Sequence, residues 1–468
     1  MTRPLRVAVI GSGPAGVYAS DALLKSEREV SIDLFEKMPA PFGLIRYGVA
    51  PDHPRIKGII RSLHKVMDNP NLRLIGNVEI GKDLAIDDLW KFYDAAIIAT
   101  GAVGDRPMGI PGEDLDGSWG AGEFVGFYDG NPLFERDWDL SAEKVAVIGV
   151  GNVGLDIARV LAKTADELHV TEIPDNVYEA LKKNQAKEVH VFGRRGPAQA
   201  KFTPLELKEL DYSDTIEVIV NPEDIDYDEA SENARRSSKI VDMVCETLEG
   251  YAIRDRQGNP HKLYIHFFES PVEILGEDGK VVGLRTERTE LTGDGRVRST
   301  GKTTDWDFGA VYHAVGYKSD PLPDVPFDER TNTIPNEGGR VLVEPKREVP
   351  AGEVGDEVNA STNAFVTSLY TTGWVRRGPV GLIGNTKGDA NEAVANLLMD
   401  SEQGYLNDPV APEESAIIEE LESRGIRYTT WEGWHQLDAA ERAAGEAEGR
   451  ERKKVVEWED MVRHSRGE

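Results

Sequence analysis

The sequence predicts an α/β protein built around two copies of one unit: a buried strand, a glycine-rich turn and a helix. The first turn, Gly11-Ser12-Gly13-Pro14-Ala15-Gly16, follows the apolar run 7–10. The second turn, Gly149-Val150-Gly151-Asn152-Val153-Gly154, follows the apolar run 145–148. Two such units in one chain predict two Rossmann-like domains, each of which binds a dinucleotide.

The three glycines of each turn have separate tasks. The first permits a tight turn, the second lets the backbone approach a pyrophosphate, and the third lets the helix pack closely on the strand. The helix that follows offers free N–H groups to the phosphates. A single turn of this kind is a weak signal, but two in matching contexts indicate two cofactors. The predicted contact residues are Gly11, Gly13, Pro14 and Gly16 in the first turn and Gly149, Gly151, Asn152 and Val153 in the second.

The end of the next strand in each unit indicates which dinucleotide binds. In the first unit the predicted strand 30–35 ends at Glu36, whose carboxylate can accept hydrogen bonds from the ribose of NAD or FAD. In the second unit the strand 188–193 ends at Arg194 and Arg195. A guanidinium group suits a 2′-phosphate, so we expect NADP(H) there. The alternative is that both arginines are solvated surface charges.

The second unit has unusual spacing. The residue that reads the ribose normally lies about 20 residues beyond the turn. Arg194 instead lies 45 residues after Gly149. We therefore expect residues 164–186 to form an insertion between the helix and the strand.

Composition excludes several classes of protein. The chain has 468 residues, 40% of them hydrophobic, and contains one cysteine, Cys245. A lone cysteine excludes a disulfide framework, a Cys-x-x-Cys redox pair and a cysteine-ligated cluster. No apolar run reaches the roughly 18 residues of a membrane span, and because the first strand begins by Leu5 we expect no signal peptide. A cytoplasmic protein is predicted.

The net charge of the chain limits the kinds of partner that it can bind. The chain has 54 basic and 83 acidic residues and a net charge of −29. This excess of negative charge disfavours nucleic acid and anionic membranes as partners.

Further patterns complete the two domains. Three apolar runs predict strands that leave the sheet at a glycine: residues 94–98 before Gly101, 310–315 before Gly316, and 368–372 before Gly373. Residues 263–274 and 280–290 predict a β-hairpin, and Asp389 is the predicted N-cap of a helix. We place a discontinuous first domain at 1–107 and 321–468 and the second domain at 108–320. Beyond residue 411 the pattern is helical, with Trp431, Trp434 and Trp458 as packing anchors.

Several of these segments resemble one known family. They are Met38-Pro39-Ala40-Pro41-Phe42-Gly43-Leu44-Ile45-Arg46-Tyr47-Gly48-Val49-Ala50-Pro51-Asp52-His53, Gly149-Val150-Gly151-Asn152-Val153, Arg194-Arg195-Gly196-Pro197, and Gly373-Trp374 with Arg377-Gly378-Pro379. The chain resembles the adrenodoxin reductase-like ferredoxin–NADP⁺ reductases, in particular actinobacterial-type members, from about residue 5 to about residue 400. The resemblance implies a fold related to glutathione reductase, with the NADP domain inserted into the FAD domain. It also implies electron transfer from NADPH through FAD to a ferredoxin-type iron–sulfur protein.

The resemblance also implies particular FAD contacts. They are Ala15, Glu36, Leu44, Trp374 and the backbone of Gly381, Leu382 and Ile383, and the strand-end glycines Gly101 and Gly373 are predicted beside the same cofactor. For Trp374 a role as an ordinary core aromatic stays open.

His53 stands between two prolines, where a histidine is often only a packing residue. In the resembling family a histidine at this place lies beside the flavin and pairs with a glutamate. The candidates Glu206 and Glu209 are three residues apart and so share one helix face. The resemblance assigns Glu206 to NADP and Glu209 to His53, whereas the local pattern makes Glu206 part of a capping box with Thr203. His53 and Glu209 are therefore the predicted catalytic pair.

A ferredoxin needs a local basic patch for docking, given the net charge. The resemblance indicates Arg235, Arg236 and Lys239 on one predicted helix. A second candidate patch consists of Arg55, Lys57, Arg61 and Lys65. Either set could equally be an ordinary solvated helix face.

Other activities fit the same architecture less well. A flavin disulfide reductase needs two neighbouring cysteines, and a glutamate-synthase-type subunit would bring cysteine-rich cluster sites. A flavin monooxygenase-like enzyme remains open, although the Pro51-Asp52-His53 motif argues against it. A flavoprotein that only senses nucleotides remains open as well.

Overall fold

The computed structural model describes residues 3–53, 57–345, 364–381, 384 and 386–468. The strands in chain order are β1 Leu5–Ile10, β2 Val30–Glu36, β3 Leu72–Gly76, β4 Ala95–Ile98, β5 Gly104–Asp105, β6 Ser118–Gly120, β7 Lys144–Ile148, β8 Glu188–Phe192, β9 Ile216–Val220, β10 His261–His266, β11 Glu269–Glu277, β12 Lys280–Leu291, β13 Val297–Asp307, β14 Ala310–His313, β15 Tyr317–Lys318, β16 Asn336–Glu337, β17 Arg340–Leu342 and β18 Phe365–Thr371.

The α-helices in chain order are α1 Pro14–Leu24, α2 Leu44–Tyr47, α3 Ile60–Met67, α4 Ile86–Leu89, α5 Ala121–Tyr128, α6 Asn152–Ala162, α7 Ala165–His169, α8 Asp175–Leu181, α9 Pro204–Glu209, α10 Glu229–Ser237, α11 Lys239–Ile253, α12 Trp374–Arg377, α13 Thr386–Glu402, α14 Glu414–Ser423, α15 Trp431–Glu446 and α16 Trp458–Arg466. None of the helices among these described residues combines the length and the apolar character that a transmembrane span requires.

The first sheet has the strand order β16-β17-β18-β4-β1-β2-β3. The five strands from β18 to β3 are parallel, as the predicted strand–turn–helix unit requires. Side chains of β1 alternate between two cores: Val7 and Val9 pack with helices α1 and α13, whereas Ala8 and Ile10 pack with α4 and α14. A parallel sheet buried on both faces explains why these strands read as continuous apolar runs.

The second sheet has the strand order β6-β14-β7-β8-β10-β9 and is parallel throughout. One face, with Val145 and Val147 of β7, packs against helices that include α6 and α11. The other face, with Ala146 and Ile148, packs against Phe308 and residues of β11 and β12. The five parallel strands of the first sheet and the parallel second sheet thus confirm the predicted α/β class with two Rossmann-like units.

An antiparallel sheet, β11-β12-β13, covers that second face. The predicted hairpin exists, because β11 and β12 pair antiparallel around the turn. The single strand predicted over 263–274 is wrong, however, since the chain divides it into β10 and β11. Phe268 adopts a φ of 58° between them and lets the chain leave one sheet for the other. β13 was not predicted; its mostly exposed side chains lack the apolar alternation that marks a strand.

Two helix predictions have different outcomes. Residues 164–186 form an insertion that contains α7 and α8, as the long spacing predicts. Asp389 is not an N-cap: α13 runs Thr386–Glu402, so that Asp389 lies inside its first turn. Its buried carboxylate accepts hydrogen bonds from the Gly373 N–H at 2.5 Å and from Arg376 at 2.6 Å. The turn that carries Trp374 therefore depends on Asp389.

The chain passes twice between the sheets, and the two passages pair as the short antiparallel strands β5 and β15. The C-terminal helices α14 to α16 pack on the first sheet, where Trp434 is buried and Trp431 and Trp458 are partly buried. These three tryptophans are packing anchors, as predicted. The parts of the chain that carry β1–β4 and β16–β18 are the first-sheet unit, and the part that carries β6–β14 is the second-sheet unit. The residue limits of the two domains remain a prediction.

Candidate active site

A cavity of about 1200 Å³ lies where residues of both units meet. The first-sheet unit contributes both the glycine turn after β1 and the end of β2, and the second-sheet unit contributes Val153 and His313. Nine of the predicted cofactor residues line it: Gly11, Gly13, Pro14, Ala15, Glu36, Leu44, Gly101, Val153 and Trp374. A cavity of this size can take a dinucleotide-sized ligand.

The two glycine turns fit a pyrophosphate. Gly11 has a φ of +107°, and a Cβ there would lie 2.5 Å from the Ala99 carbonyl oxygen. Gly149 has a φ of +131°, and a Cβ there would lie 2.3 Å from the Ala314 carbonyl oxygen. At Gly13 and Gly151, by contrast, no atom of the described residues other than those of the adjacent residues lies within 4 Å of such a Cβ. The first glycine of each turn is required by its positive φ and by the carbonyl group packed against it. The second glycine faces open space where a ligand can approach.

Gly16, Asn152 and Gly381 are not among the described residues that line the cavity. A Cβ at Gly16 would come within 1.9 Å of the Gly11 carbonyl oxygen, so this glycine lets α1 pack on the turn. Asn152 accepts a hydrogen bond from the Thr203 N–H at 2.9 Å and thereby ties the second turn to α9. Gly381 has a φ of 91°, and Leu382 and Ile383 lie outside the described residues.

Glu36 lies at the end of β2 and lines the cavity. Its Oε2 accepts hydrogen bonds from the Ser12 N–H at 3.0 Å and the Ser12 hydroxyl at 2.7 Å. Its Oε1 accepts one from the Met38 N–H at 2.9 Å. A carboxylate has about four acceptor positions, so Glu36 can hold the first turn and still accept from a ribose hydroxyl.

Arg194 and Arg195 follow β8, whose end pairs with the end of β7 just before the second turn. Arg194 is exposed and Arg195 is half-buried. Within the described ranges neither guanidinium group has an ion pair or hydrogen bond to the protein, although the chain is rich in acidic side chains. Two such groups at this place leave their donors available to an anion.

Trp374 lines the cavity from the short helix α12. Its ring stacks against that of Tyr317, with centroids 6.3 Å apart and an interplanar angle of 28°. It is only partly buried, so Trp374 is a wall of the cavity rather than a core aromatic. Asp389 holds the Gly373 N–H directly before it.

His53 lies in a buried cluster of carboxylates, with only 3% of its surface exposed. Its Nδ1 lies 2.7 Å from Glu209 Oε2. Its Nε2 lies 3.1 Å from Asp156 Oδ1 and also contacts Glu206 Oε2. Burial alone would lower the pKa of His53, but hydrogen bonds to Asp156 and Glu206 outweigh it and raise the pKa to about 9. A pKa in this range favours the imidazolium form of His53 at neutral pH.

Both candidate glutamates contact the His53 ring, Glu209 at Nδ1 and Glu206 at Nε2. The assignment of Glu206 to NADP stays a prediction. The predicted capping box is incomplete. Thr203 caps α9 by accepting from the Glu206 N–H at 3.4 Å, yet the Thr203 N–H donates to Asn152. The Glu206 carboxylate is drawn to the buried cation, where an ionic hydrogen bond is stronger than a neutral one.

A larger ion-pair network surrounds His53 and joins the two units. Asp52 accepts hydrogen bonds from Arg159 at 2.7 and 2.8 Å and from Lys163 at 2.8 Å. Arg159 also donates to Asp156 at 2.8 Å. Although burial opposes it, the Arg159 guanidinium holds the pKa of Asp52 far below its usual range. Sequence reasoning missed Asp156 and Arg159, although their i, i+3 spacing just after the second turn is a usable signal.

The predicted docking residues are not equivalent. They lie on two helices rather than the expected one, because Ser238 separates α10 from α11 and caps the latter. Arg235 is held by Asp242 at 2.9 Å and Glu249 at 2.6 Å, whereas Arg236 and Lys239 are exposed. In the second candidate patch, Lys57 pairs with Glu172, Arg61 and Lys65 are exposed, and Arg55 lies outside the described residues.

Comparison with known proteins agrees with this geometry. A family model described as pyridine nucleotide-disulphide oxidoreductase matches residues 5–192. The chain is 38% identical to NADPH-ferredoxin reductase FprA of Mycobacterium tuberculosis, over 98% of this chain and 99% of that protein. It is 36% identical to the human mitochondrial NADPH:adrenodoxin oxidoreductase, over 98% of this chain and 91% of that protein. The solved structure of Mycobacterium tuberculosis FprA in complex with NADPH has 37% identity and a TM-score of 0.89, covering 99% of this chain and 100% of that chain.

Proposed function

We propose that this chain, which belongs to the family of the NADPH-ferredoxin reductases and NADPH:adrenodoxin oxidoreductases, passes electrons from NADPH through FAD to a ferredoxin-type iron–sulfur protein. The observation that carries the proposal is the cavity of about 1200 Å³ that the two units line together. It brings the first glycine turn and Val153 of the second turn to one space, as a reaction between two nucleotides requires.

FAD is assigned to the first-sheet unit. Bound FAD supplies a two-electron acceptor for the hydride of NADPH and returns electrons singly to the iron–sulfur partner. Gly13 and the N-terminus of α1 would hold its pyrophosphate, and Glu36 its ribose. Leu44, Gly101, Gly373 and Trp374, with the segment 381–383, are the proposed walls of the remaining site.

NADP(H) is assigned to the second-sheet unit. The N–H groups of Asn152 and Val153 at the start of α6 would receive its pyrophosphate. Arg194 and Arg195 have guanidinium groups without protein partners among the described residues, and they would receive the 2′-phosphate. That pair is the reason to propose NADPH rather than NADH as the electron donor.

His53 and Glu209 are the proposed catalytic pair. With its pKa raised to about 9, His53 is favoured as the imidazolium at neutral pH, and an imidazolium cannot accept another proton. Its proposed role is to place a fixed positive charge beside the reacting rings and to orient them. Preorganised charge of this kind acts without rearrangement during the reaction.

The acceptor would dock through Arg236 and Lys239, which are exposed at the junction of α10 and α11. Arg235 supports this surface through its ion pairs with Asp242 and Glu249 and contributes less free charge.

We also assign residues 1–107 and 321–468 to the FAD domain, residues 108–320 to the NADP domain, and the protein to the cytoplasm. A single cysteine fits a reducing compartment.

The test is the visible spectrum of the purified protein under anaerobic conditions. The flavin bands should bleach on addition of NADPH and much more slowly with NADH. The reduced protein should then support steady reduction of a ferredoxin coupled to cytochrome c. A protein that stays colourless after reconstitution with FAD, or that prefers NADH, would contradict the proposal.

A further inference from the structure

The segment 450–457, which we call the C-terminal strap, joins α15 to α16 and lies against both units. Arg450 donates a hydrogen bond to the Ile173 carbonyl oxygen of the second-sheet unit at 2.7 Å. Arg452 pairs with Glu441 at 2.9 Å, and Glu441 in turn contacts Arg46 of the first-sheet unit at 3.0 Å. The strap is therefore anchored to both units.

Lys454 is the centre of the strap. Its Nζ donates to the Arg46 carbonyl oxygen at 2.7 Å and to the Asp129 carbonyl oxygen at 3.0 Å. It also lies 2.7 Å from Glu172 Oε1, and its side chain is only 1% exposed. An ammonium group has three donors, and here all three have acceptors. One acceptor belongs to the first-sheet unit and two belong to the second.

These acceptors stand next to the cavity wall. Arg46 is part of α2, where Leu44 and Tyr47 line the cavity. Asp129 ends α5, the helix whose first turn includes the lining residue Glu123. The last carbonyl groups of a helix lack intrahelical partners, and a cation there is favourable. One buried ammonium thus joins α2 of the first-sheet unit to the C-terminal end of α5 in the second-sheet unit.

The surroundings of Lys454 hold it in place. Glu172 also pairs with Lys57, which follows the His53 segment in the chain. The Glu172 carboxylate therefore links Lys454 of the strap to Lys57. Replacing Lys454 by an apolar side chain would leave the Glu172 carboxylate with one cation fewer. It would also leave the carbonyl groups of Arg46 and Asp129 without this donor, so the contact between the units would loosen.

We propose that Lys454 is a positioning residue for hydride transfer, which sets the distance between the two nucleotide sites by joining α2 to α5. This inference rests on the proposed function, because it assigns FAD and NADPH to the two units. It gives the C-terminal segment a role in the reaction although no residue of that segment lines the cavity within the described part of the chain.

The test compares Lys454→Met with Lys453→Met in the FAD-loaded protein. Lys453 is the adjacent residue of the same type, but it pairs at the surface with Asp175 and Glu448. Flavin reduction by NADPH is followed by anaerobic stopped flow, and FAD content is measured for each variant. Lys454→Met should be reduced at least about tenfold more slowly with FAD content unchanged, since small misplacements of reacting groups lower rates strongly. Lys453→Met should react like the wild type.

Two further readouts separate positioning from a general structural role. The long-wavelength charge-transfer absorption of stacked nicotinamide and flavin should weaken in Lys454→Met, and Lys454→Arg, which keeps the charge and the donors, should restore most of the rate. If Lys454→Met does not fold, Lys454→Gln is judged by the same criteria.

The outcomes are distinct. A wild-type protein that NADPH does not reduce would refute the proposed function itself. A wild-type rate in Lys454→Met, or loss of FAD in parallel with the rate, would overturn the positioning role alone.

Discussion

Arg159 and Asp52 form a two-point ion pair, with distances of 2.7 Å from Nε to Oδ2 and 2.8 Å from the second guanidinium nitrogen to Oδ1. Arg159 belongs to α6 of the second-sheet unit, and Asp52 directly precedes His53 in the first. The pair therefore fixes the His53 backbone to the helix that opens at the second glycine turn. The proposed catalytic histidine therefore lies at the junction of the two units.

The first prediction concerns His53. His53→Gln keeps a polar side chain but removes the buried positive charge, which leaves Glu209 without this cation and Glu206 with the longer contact to Arg159 at 3.7 Å. We expect flavin reduction by NADPH to slow by about tenfold or more, while FAD stays bound. Anaerobic stopped flow measures the rate, and the flavin spectrum measures the bound FAD. An unchanged reduction rate would remove His53 from the mechanism.

The second prediction concerns Arg194 and Arg195. A charge-assisted hydrogen bond contributes about 1.5–3 kcal/mol, so either change to alanine should raise the KM for NADPH roughly tenfold to a hundredfold. The KM for NADH should not change, because NADH lacks the 2′-phosphate. Arg442→Ala, at an exposed arginine of α15, is the matched control and should leave both KM values as they are. Equal effects on NADPH and NADH would argue that these arginines do not read the phosphate.

The third prediction concerns stability in acid. His190 Nδ1 lies 2.9 Å from His266 Nε2, and both rings contact Trp306 of the antiparallel sheet. Burial lowers the pKa of His190 to about 4, and burial followed by the neighbouring His190 lowers that of His266 to about 3. The unfolded chain, with histidine pKa values near 6.5, therefore binds more protons than the folded one between about pH 6.5 and 3. The free energy of unfolding should fall by a few kcal/mol as the pH decreases through this range.

Urea unfolding at a series of pH values measures this effect. His266→Phe removes one of the two groups and should flatten the pH dependence, whereas His464→Gln, at an exposed histidine of α16, should not. Identical pH profiles for His266→Phe and the wild type would show that other groups govern acid stability.

The fourth prediction concerns docking of the acceptor. Arg236→Glu and Lys239→Glu reverse exposed charges at the junction of α10 and α11. The rate of ferredoxin reduction should fall by about tenfold at low ionic strength and by much less at high salt, where charges are screened. Reduction of ferricyanide should not change, since it needs no protein surface. The control Lys182→Glu, at the C-cap of α8, should leave the ferredoxin rate unaffected. A salt-independent rate in the wild type would contradict electrostatic docking at this surface.

Several features of the fold could be read from the sequence because their causes are local. The strand before Gly11 and the helix after it follow from a short apolar run and a glycine turn. The same holds for the unit at Gly149 and for the insertion that contains α7 and α8. The hairpin of β11 and β12 has a turn signal in Asp278 and Gly279.

Other features could not be predicted, because contacts distant in sequence decide them. The apolar run 263–274 gives no sign that the chain changes sheets at Phe268. Asp389 looks like a helix cap, but its carboxylate is taken by the Gly373 N–H. Arg235 resembles a free surface cation until the fold brings Asp242 and Glu249 beside it.

The sequence by itself determined the two dinucleotide-binding units. It also determined the type of residue at the end of the second strand of each unit, which is Glu36 in the first unit and the pair Arg194 and Arg195 in the second. These depend on backbone geometry and on residue type within a few positions, so they need no knowledge of the rest of the chain. Only the tertiary structure decided that His53 faces two glutamates and that Lys454 joins the two units. Buried charges take whichever partners the packed elements place within reach, and that reach is set by the fold as a whole.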